Sequence, residues 1–389
     1  MNKTPILDLE NNTEANNSSN LELLQHMELA LKRTGLKTRF NTVSEILEND
    51  ENSAEFIRAV LHDDDFIDLT PKNDLYEFSK DRARHSVITF LIGIVLMDFY
   101  DIGKVITNKL LNNKSKEQLT HLWMLTSLYH DWAYGCEKIT DSDYNLRSST
   151  TYYLLQDLYS DTQLESINRF SILYPSTMAY DYKEIEEYDR YARNYHKQRN
   201  DSYERVDHGI LGGVKIFDRL AKRIIKLERI TKEDDFKEAK TSCLTIAQHN
   251  IFKSNSKEND KAYGLALSKL HSDSDFTISM TTPLLLLLSL VDTIECVKKL
   301  GRYENKTYLQ KNTILTNILL QLYDNRIIID YSELIKRIVQ KKDKELEQKI
   351  KEYMDSVCNL GNWTTFYATK TSDCVIGISM KPEALIDIK

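Results

Sequence analysis

Four of the nine histidines stand inside otherwise apolar segments with helical spacing. His85 precedes Ser-Val-Ile-Thr-Phe-Leu-Ile, and His130 closes Trp-Met-Leu-Thr-Ser-Leu-Tyr, with Asp131 directly after it. His208 lies in Val-Asp-His-Gly-Ile-Leu-Gly-Gly at a helix start, and His249 sits between Cys-Leu-Thr-Ile-Ala-Gln and Asn-Ile-Phe. Asp292 follows Leu-Leu-Leu-Leu-Leu-Ser-Leu-Val, with no lysine or arginine within a helical turn on its N-terminal side. A carboxylate in such a run is buried, and without a partner it costs several kcal/mol. Neutral imidazoles and carboxylates together ligate divalent ions, which neutralise that charge. A lone core histidine is ordinarily a satisfied packing residue, and a lone buried aspartate is often a cap or ion-pair partner. The ordered set of six, spread over separate apolar segments, reads instead as a metal site.

The elements that must position these residues are helices. Only 11 Gly and 5 Pro occur in 389 residues, far below average usage, so breakers are scarce and a mainly α chain is expected. Residues 1–20 are polar and read as a disordered tail. Residues 21–77 read as a small helical region, and 78–330 as the domain of long helices. His85 lies early in a helix whose apolar face includes Val87, Phe90, Leu91 and Ile94. Leu122, Leu125, Leu128 and Trp132 recur at helical spacing and carry His130 and Asp131 along, with Gly135 as the natural stop. Residues 331–389 read as a further helix over 332–357, then a hairpin of 364–368 with 374–380 around Lys370-Thr-Ser-Asp. A coiled-coil seam for 332–357 is the competing reading, but its apolar stripe breaks at 340–343.

Composition narrows the classes. The net charge of −7 supplies no basic excess for nucleic acid or anionic lipid. Five dispersed cysteines without a CxxC pair read as reduced thiols, and no leader-like segment opens the chain. Both point to the cytoplasm. The apolar runs 87–97 and 284–291 fall short of the ~18 residues of a membrane span and read as buried core helices. His62-Asp-Asp-Asp65 looks like a metal cluster but reads as a solvated acidic turn before Pro71.

In its order and in its local words the set resembles the dinuclear branch of the HD-domain superfamily. The words are Arg84-His85, Leu128-Tyr-His-Asp-Trp-Ala-Tyr-Gly135, Asp207-His-Gly-Ile-Leu-Gly-Gly213 and Val291-Asp292, within about 78–300. The resemblance implies an all-α HD-domain helical bundle carrying the small C-terminal β-hairpin as an appendage. It implies that His85, His130, Asp131 and Asp292 hold one divalent ion (Mn, Fe, Co, Zn or Mg) and that Asp131 bridges to a second on His208 and His249. The activity implied is hydrolysis of a phosphoester or phosphoanhydride by a metal-bridging hydroxide, with Asp131 and His130 at the catalytic centre. Gly209, Gly212 and Gly213 fit close helix approach beside His208, and Asp207 is a candidate partner for an imidazole.

The familiar Gly-Tyr-Pro signature of one phosphodiesterase branch does not follow, and 77 positions separate Asp131 from His208. Within this long insertion, about 140–203, residues 152–203 carry ten tyrosines, with Arg190, Arg193, Arg199 and Arg205 in or beside it. These suit a cap that stacks a base and grips phosphate, or simply a packed helical hairpin. Arg84, Lys138 and Arg205 are the substrate-phosphate candidates; Arg82 is either another or a helix cap. The expected substrate is a phosphorylated, nucleotide-like small molecule rather than nucleic acid or membrane, and a homo-oligomer is compatible with the chain. A diiron oxygenase uses a similar ligand set, and a non-catalytic nucleotide sensor is a third reading that retained ligands disfavour.

Overall fold

A computed structural model describes residues 19–36, 38–63, 80–99, 116–134, 282–297, 314–323, 326–340, 342, 344–359 and 366–380. It also describes single positions within 208–216 and 242–249. Its elements are α1 (Leu23–Thr34), α2 (Val43–Ile46), α3 (Asp50–Asp63), α4 (Lys80–Phe99), α5 (Lys116–Tyr129), α6 (Thr282–Ile294), α7 (Ser332–Gln340) and α8 (Lys344–Cys358), with strands β1 (Ser19–Glu22), β2 (Leu319–Tyr323), β3 (Arg326–Asp330), β4 (Phe366–Ser372) and β5 (Val375–Met380). Most of these residues are helical, as the scarcity of breakers predicts.

The central helix is α4. Val87, Ile88, Phe90, Leu91, Ile92, Ile94, Val95 and Leu96 are all buried, so the helix is apolar all round. Such a helix needs neighbours on every side, and α1, α3, α5 and α6 supply them. Its buried polar residues, Arg82, His85, Ser86 and Thr89, recur at i, i+3, i+4 and i+7 and so share one stripe. Gly93 sets the approach of α5: a Cβ there would lie 2.1 Å from the Trp123 ring. The indole is fixed in that notch by its Nε1–H, which donates to the Phe90 carbonyl at 2.9 Å. Leu284, Leu287, Leu288, Leu290 and Val291 bury the second apolar run, on α6. No helix among the described residues is long and apolar enough to cross a membrane.

The strand set is larger than the expected terminal hairpin. β4 and β5 pair as foreseen, but they belong to a five-stranded antiparallel sheet of order β1-β2-β3-β5-β4. β2 and β3 lie in a stretch read as helical up to 330, and β1 begins inside the stretch read as a disordered tail. The signal was present in 319–330, where Leu-Leu-Gln-Leu-Tyr and Arg-Ile-Ile-Ile-Asp flank Asp324-Asn325. Leu320, Leu322, Ile327, Ile329, Ile376 and Ile378 alternate into the core, which a β period satisfies and a helix does not. β1 is too short and polar to declare itself; its register, Leu21 opposite Leu320, comes from β2. The 332–357 helix is two helices, α7 and α8, separated at Lys342 with φ 57°, where the apolar stripe fails. Leu334, Ile338, Leu346, Ile350, Met354 and Val357 are buried within the chain itself, leaving no continuous seam for a coiled coil.

Candidate metal centre

Each expected ligand stands where an element ends or turns toward the stripe of α4. His85 is in the second turn of α4. α5 ends at Tyr129, so His130 and Asp131 lie in the following turn rather than on the helix. That turn is closed by Trp132 N–H to Tyr129 O at 3.0 Å and Tyr134 N–H to Asp131 O at 3.0 Å. Gly135, the expected stop, lies outside the described residues. Asp292 is in the last turn of α6, His208 is helical, and His249 follows a helical stretch at 245–247.

All six side chains converge. His85 Nε2 lies 2.9 Å from Asp292 Oδ1 and 3.1 Å from His130 Nε2. Asp131 faces both halves of the cluster: Oδ1 is 3.0 Å from His208 Nε2 and 3.7 Å from the Nε2 of His130 and of His249, while Oδ2 is 3.6 Å from His85 Nε2. Among the described residues, two groups have spacing that could hold an ion, His85 with His130 and Asp292, and His130 with Asp131 and His249. Asp292, expected to be buried, is instead partly open to solvent in the last turn of α6, its side chain 30 % exposed. The other five residues are buried.

The hydrogen bonds behind the rings decide what faces inward. His130 Nδ1–H donates to the Ser127 carbonyl at 2.7 Å, and His249 Nδ1–H to the Ile246 carbonyl at 2.6 Å. A carbonyl only accepts, so in the neutral ring each Nε2 carries a lone pair. Burial lowers the pKa of His130; Asp131 and Asp292 oppose the shift and His85 and His249 add to it, and the ring is neutral. His85 Nδ1 lies 2.9 Å from the buried carboxylate oxygen Glu295 Oε2. With its proton on Nδ1, Nε2 offers a lone pair 3.1 Å from that of His130 and beside Asp131 and Asp292. Lone pairs so opposed repel unless a cation lies among them. Three carboxylates, Asp131, Asp292 and Glu295, meet at the cluster, with the Arg82 guanidinium beside Asp131. The donor set therefore fits divalent ions.

Glu295 was not assigned a part from sequence, and Arg82 was read there as a phosphate candidate or a helix cap. Glu295 holds His85 from behind; its signal was a second carboxylate three positions after Asp292, at the end of the same apolar run. Arg82, 2 % exposed, brings Nη1 to 3.4 Å from Asp131 Oδ2. Its Cζ stacks 3.4 Å from the Tyr134 ring centre, and Tyr134 meets His208 edge-on with ring centres 5.0 Å apart. Arg84, the expected phosphate contact, instead directs Nε to Asp50 of α3 at 2.6 Å. Lys138, Arg205, Asp207 and the Tyr-rich insertion lie outside the described residues, as do the side chains of 62–65.

The glycines beside His208 divide. A Cβ on Gly209 would meet Ile246 O at 2.8 Å and His249 Nδ1 at 3.0 Å, and one on Gly213 would meet Cys243 O at 2.5 Å. These two permit the segments bearing His208 and His249 to touch. At Gly212 the nearest atom would be 3.6 Å away, an ordinary contact.

No protein-family model, curated protein or solved structure matches the chain.

Proposed function

We propose that this chain is a metal-dependent phosphohydrolase of the HD-domain type, acting on a phosphorylated, nucleotide-like small molecule. The observation that carries this reading is the pair of opposed imidazole nitrogens, His85 Nε2 and His130 Nε2, 3.1 Å apart and flanked by Asp131 and Asp292. His85, His130 and Asp292 would hold one ion, His208 and His249 a second, with Asp131 between them. Divalent ions so held supply a nucleophile from water at neutral pH and neutralise charge on a phosphoryl group. The chain needs no serine or cysteine nucleophile.

The remaining groups suit an anionic substrate. Arg82 is a fixed cation, stacked on Tyr134, and its Nη1 makes no hydrogen bond among the described residues. A guanidinium edge beside the ions matches phosphoryl oxygens better than a neutral polyol. Asp292 marks the open side of the cluster, the side from which a substrate reaches it. The test is elemental analysis of protein purified without chelator, followed by a nucleotide panel with phosphate and nucleoside detection, in air and under argon. Bound metal approaching two per chain and turnover under argon are expected. A chain that cannot be loaded with Mn, Fe or Co, or turnover that requires dioxygen, overturns the proposal.

A further inference from the structure

The segment just past α6 carries a buried carboxylate that neither the ligand set nor the substrate-facing side uses. Glu295 is 1 % exposed, and both of its oxygens are engaged. Oε1 accepts the Val297 backbone N–H at 2.8 Å, and Oε2 faces His85 Nδ1 at 2.9 Å. The Val297 amide can only donate, so it pins one oxygen and aims the other at the imidazole. Oε2 is thereby an acceptor aimed at Nδ1, while Asp292 Oδ1, 2.9 Å from Nε2 on the partly open side, is the competing acceptor for the ring proton.

We propose that Glu295 is a positioning residue that fixes the tautomer of His85, keeping the proton on Nδ1 and the lone pair on Nε2 turned to Asp292 and His130. Two of the other imidazoles are set by carbonyls of their own segments, Ser127 for His130 and Ile246 for His249, three residues upstream in each case. His85 Nδ1 faces a side chain instead, Glu295 Oε2. His85 lies within a continuous helix whose carbonyls are taken up by the helix's own hydrogen bonds, so its tautomer is set from another element, 210 positions away in sequence. Glu295 also stands three residues after Asp292, so one short stretch supplies a ligand and the group that orients the ligand opposite. Such outer partners fix ring orientation and raise ligand basicity.

The discriminating substitution is Glu295→Gln. It preserves shape and volume but offers one carbonyl oxygen instead of two. The Val297 amide claims that oxygen, leaving the side-chain NH2 to face His85 Nδ1. The imidazole must then accept there and carry its proton on Nε2, where a metal can no longer bind. A merely structural Glu295 predicts lost stability with an unchanged tautomer.

The experiment is nitrogen NMR of 15N-histidine-labelled, metal-free full-length chain, with His85 assigned by substitution, beside Mn and Zn titrations of wild type and Glu295→Gln. The expected result is an Nδ1–H tautomer at His85 in the wild type and Nε2–H in the variant. Affinity at one of the two metal positions should fall about 10–100-fold, with circular dichroism unchanged. An Nε2–H tautomer in the wild type overturns the proposal without recourse to any variant. So does a folded variant with wild-type tautomer and affinity. The inference rests on the metal reading for its consequence only. A wild type that binds no metal but shows Nδ1–H at His85 would defeat the phosphohydrolase proposal and still support this role for Glu295.

Discussion

Asp131 divides its two oxygens between the halves of the cluster, with Oδ1 toward His208 and His249 and Oδ2 toward His85 and Arg82. Asparagine keeps the shape but removes the charge and turns one of those oxygens into a donor. Asp131→Asn should therefore lower metal content at both positions and reduce activity by more than the ~100-fold that loss of an outer-sphere partner costs. Metal analysis beside steady-state rates checks this, and a variant that retains two ions argues against a bridging place for Asp131. Arg82 gives a separate handle, because its planar group is held by the Tyr134 face as well as by charge. Lysine keeps the charge and loses the fork and the stack. If Arg82 grips a phosphoryl oxygen, Arg82→Lys should lower kcat/KM roughly 10–100-fold, the equivalent of about 1.5–3 kcal/mol for a charge-assisted hydrogen bond. Metal content should be unchanged, and an unaltered kcat/KM would remove Arg82 from substrate binding.

The element that governs the site is α4, because one stripe of an otherwise apolar helix delivers Arg82 and His85 to the cluster. Its distance from α5 is fixed where Trp123 fills the space left by Gly93. Gly93→Ala would place a methyl 2.1 Å from a buried ring that is already tied to Phe90 O, so the two helices must separate. Overpacking of this kind costs about 1–3 kcal/mol. Since α4 bears His85 and α5 leads into His130 and Asp131, the same displacement should weaken metal binding. A lower denaturation midpoint together with a right-shifted metal titration is the expected pair of results. An unperturbed titration would show that the site does not depend on this contact. The C-terminal helices reach the same neighbourhood: the Tyr353 hydroxyl of α8 donates to Thr293 O at 3.2 Å, one residue beyond Asp292.

At the scale of the whole molecule, two buried histidines tie parts of the chain together and both resist protonation. His26 on α1 donates from Nε2 to Leu320 O on β2 at 2.9 Å, and burial lowers its pKa from 6.5; the hydrogen bond to Leu320 opposes the shift and Arg33 reinforces it. Burial likewise lowers His130 from 6.5, against the pull of Asp131. The unfolded chain binds protons at both positions as pH falls past 6.5, while the folded chain does not until its lower values are reached. The stability tied to these rings is intact above pH 6.5 and drains as pH falls from there toward the folded values. Metal-free protein should lose stability across that window with a slope of up to about 2.7 kcal/mol per pH unit for two protons. Urea midpoints between pH 7.5 and 5 measure it. His26→Gln, which can still donate to Leu320 O, should flatten part of the slope, and an unchanged slope would exclude His26 as a contributor.

The six cluster residues and the two buried apolar helices were legible in the sequence because each follows from local chemistry. A charged or metal-seeking side chain inside an apolar run has few ways to be satisfied; the failed stripe at 340–343 counted against a coiled coil, but 332–357 was still read as one helix where there are two. The β4–β5 hairpin was legible for the same reason, since two β-prone runs flank a turn signal. Tertiary structure alone decided the rest. Ser19–Glu22 is a strand only because β2 offers an unpaired edge some 300 positions away, and Arg84 turns from the cluster because Asp50 of α3 stands beside it. Whether Arg82 or Arg84 faces the site depends on which side of α4 meets the turn after α5, and Glu295 meets His85 only because α6 lies against α4. These outcomes are set by contacts between segments far apart in sequence, where no local period or propensity reaches.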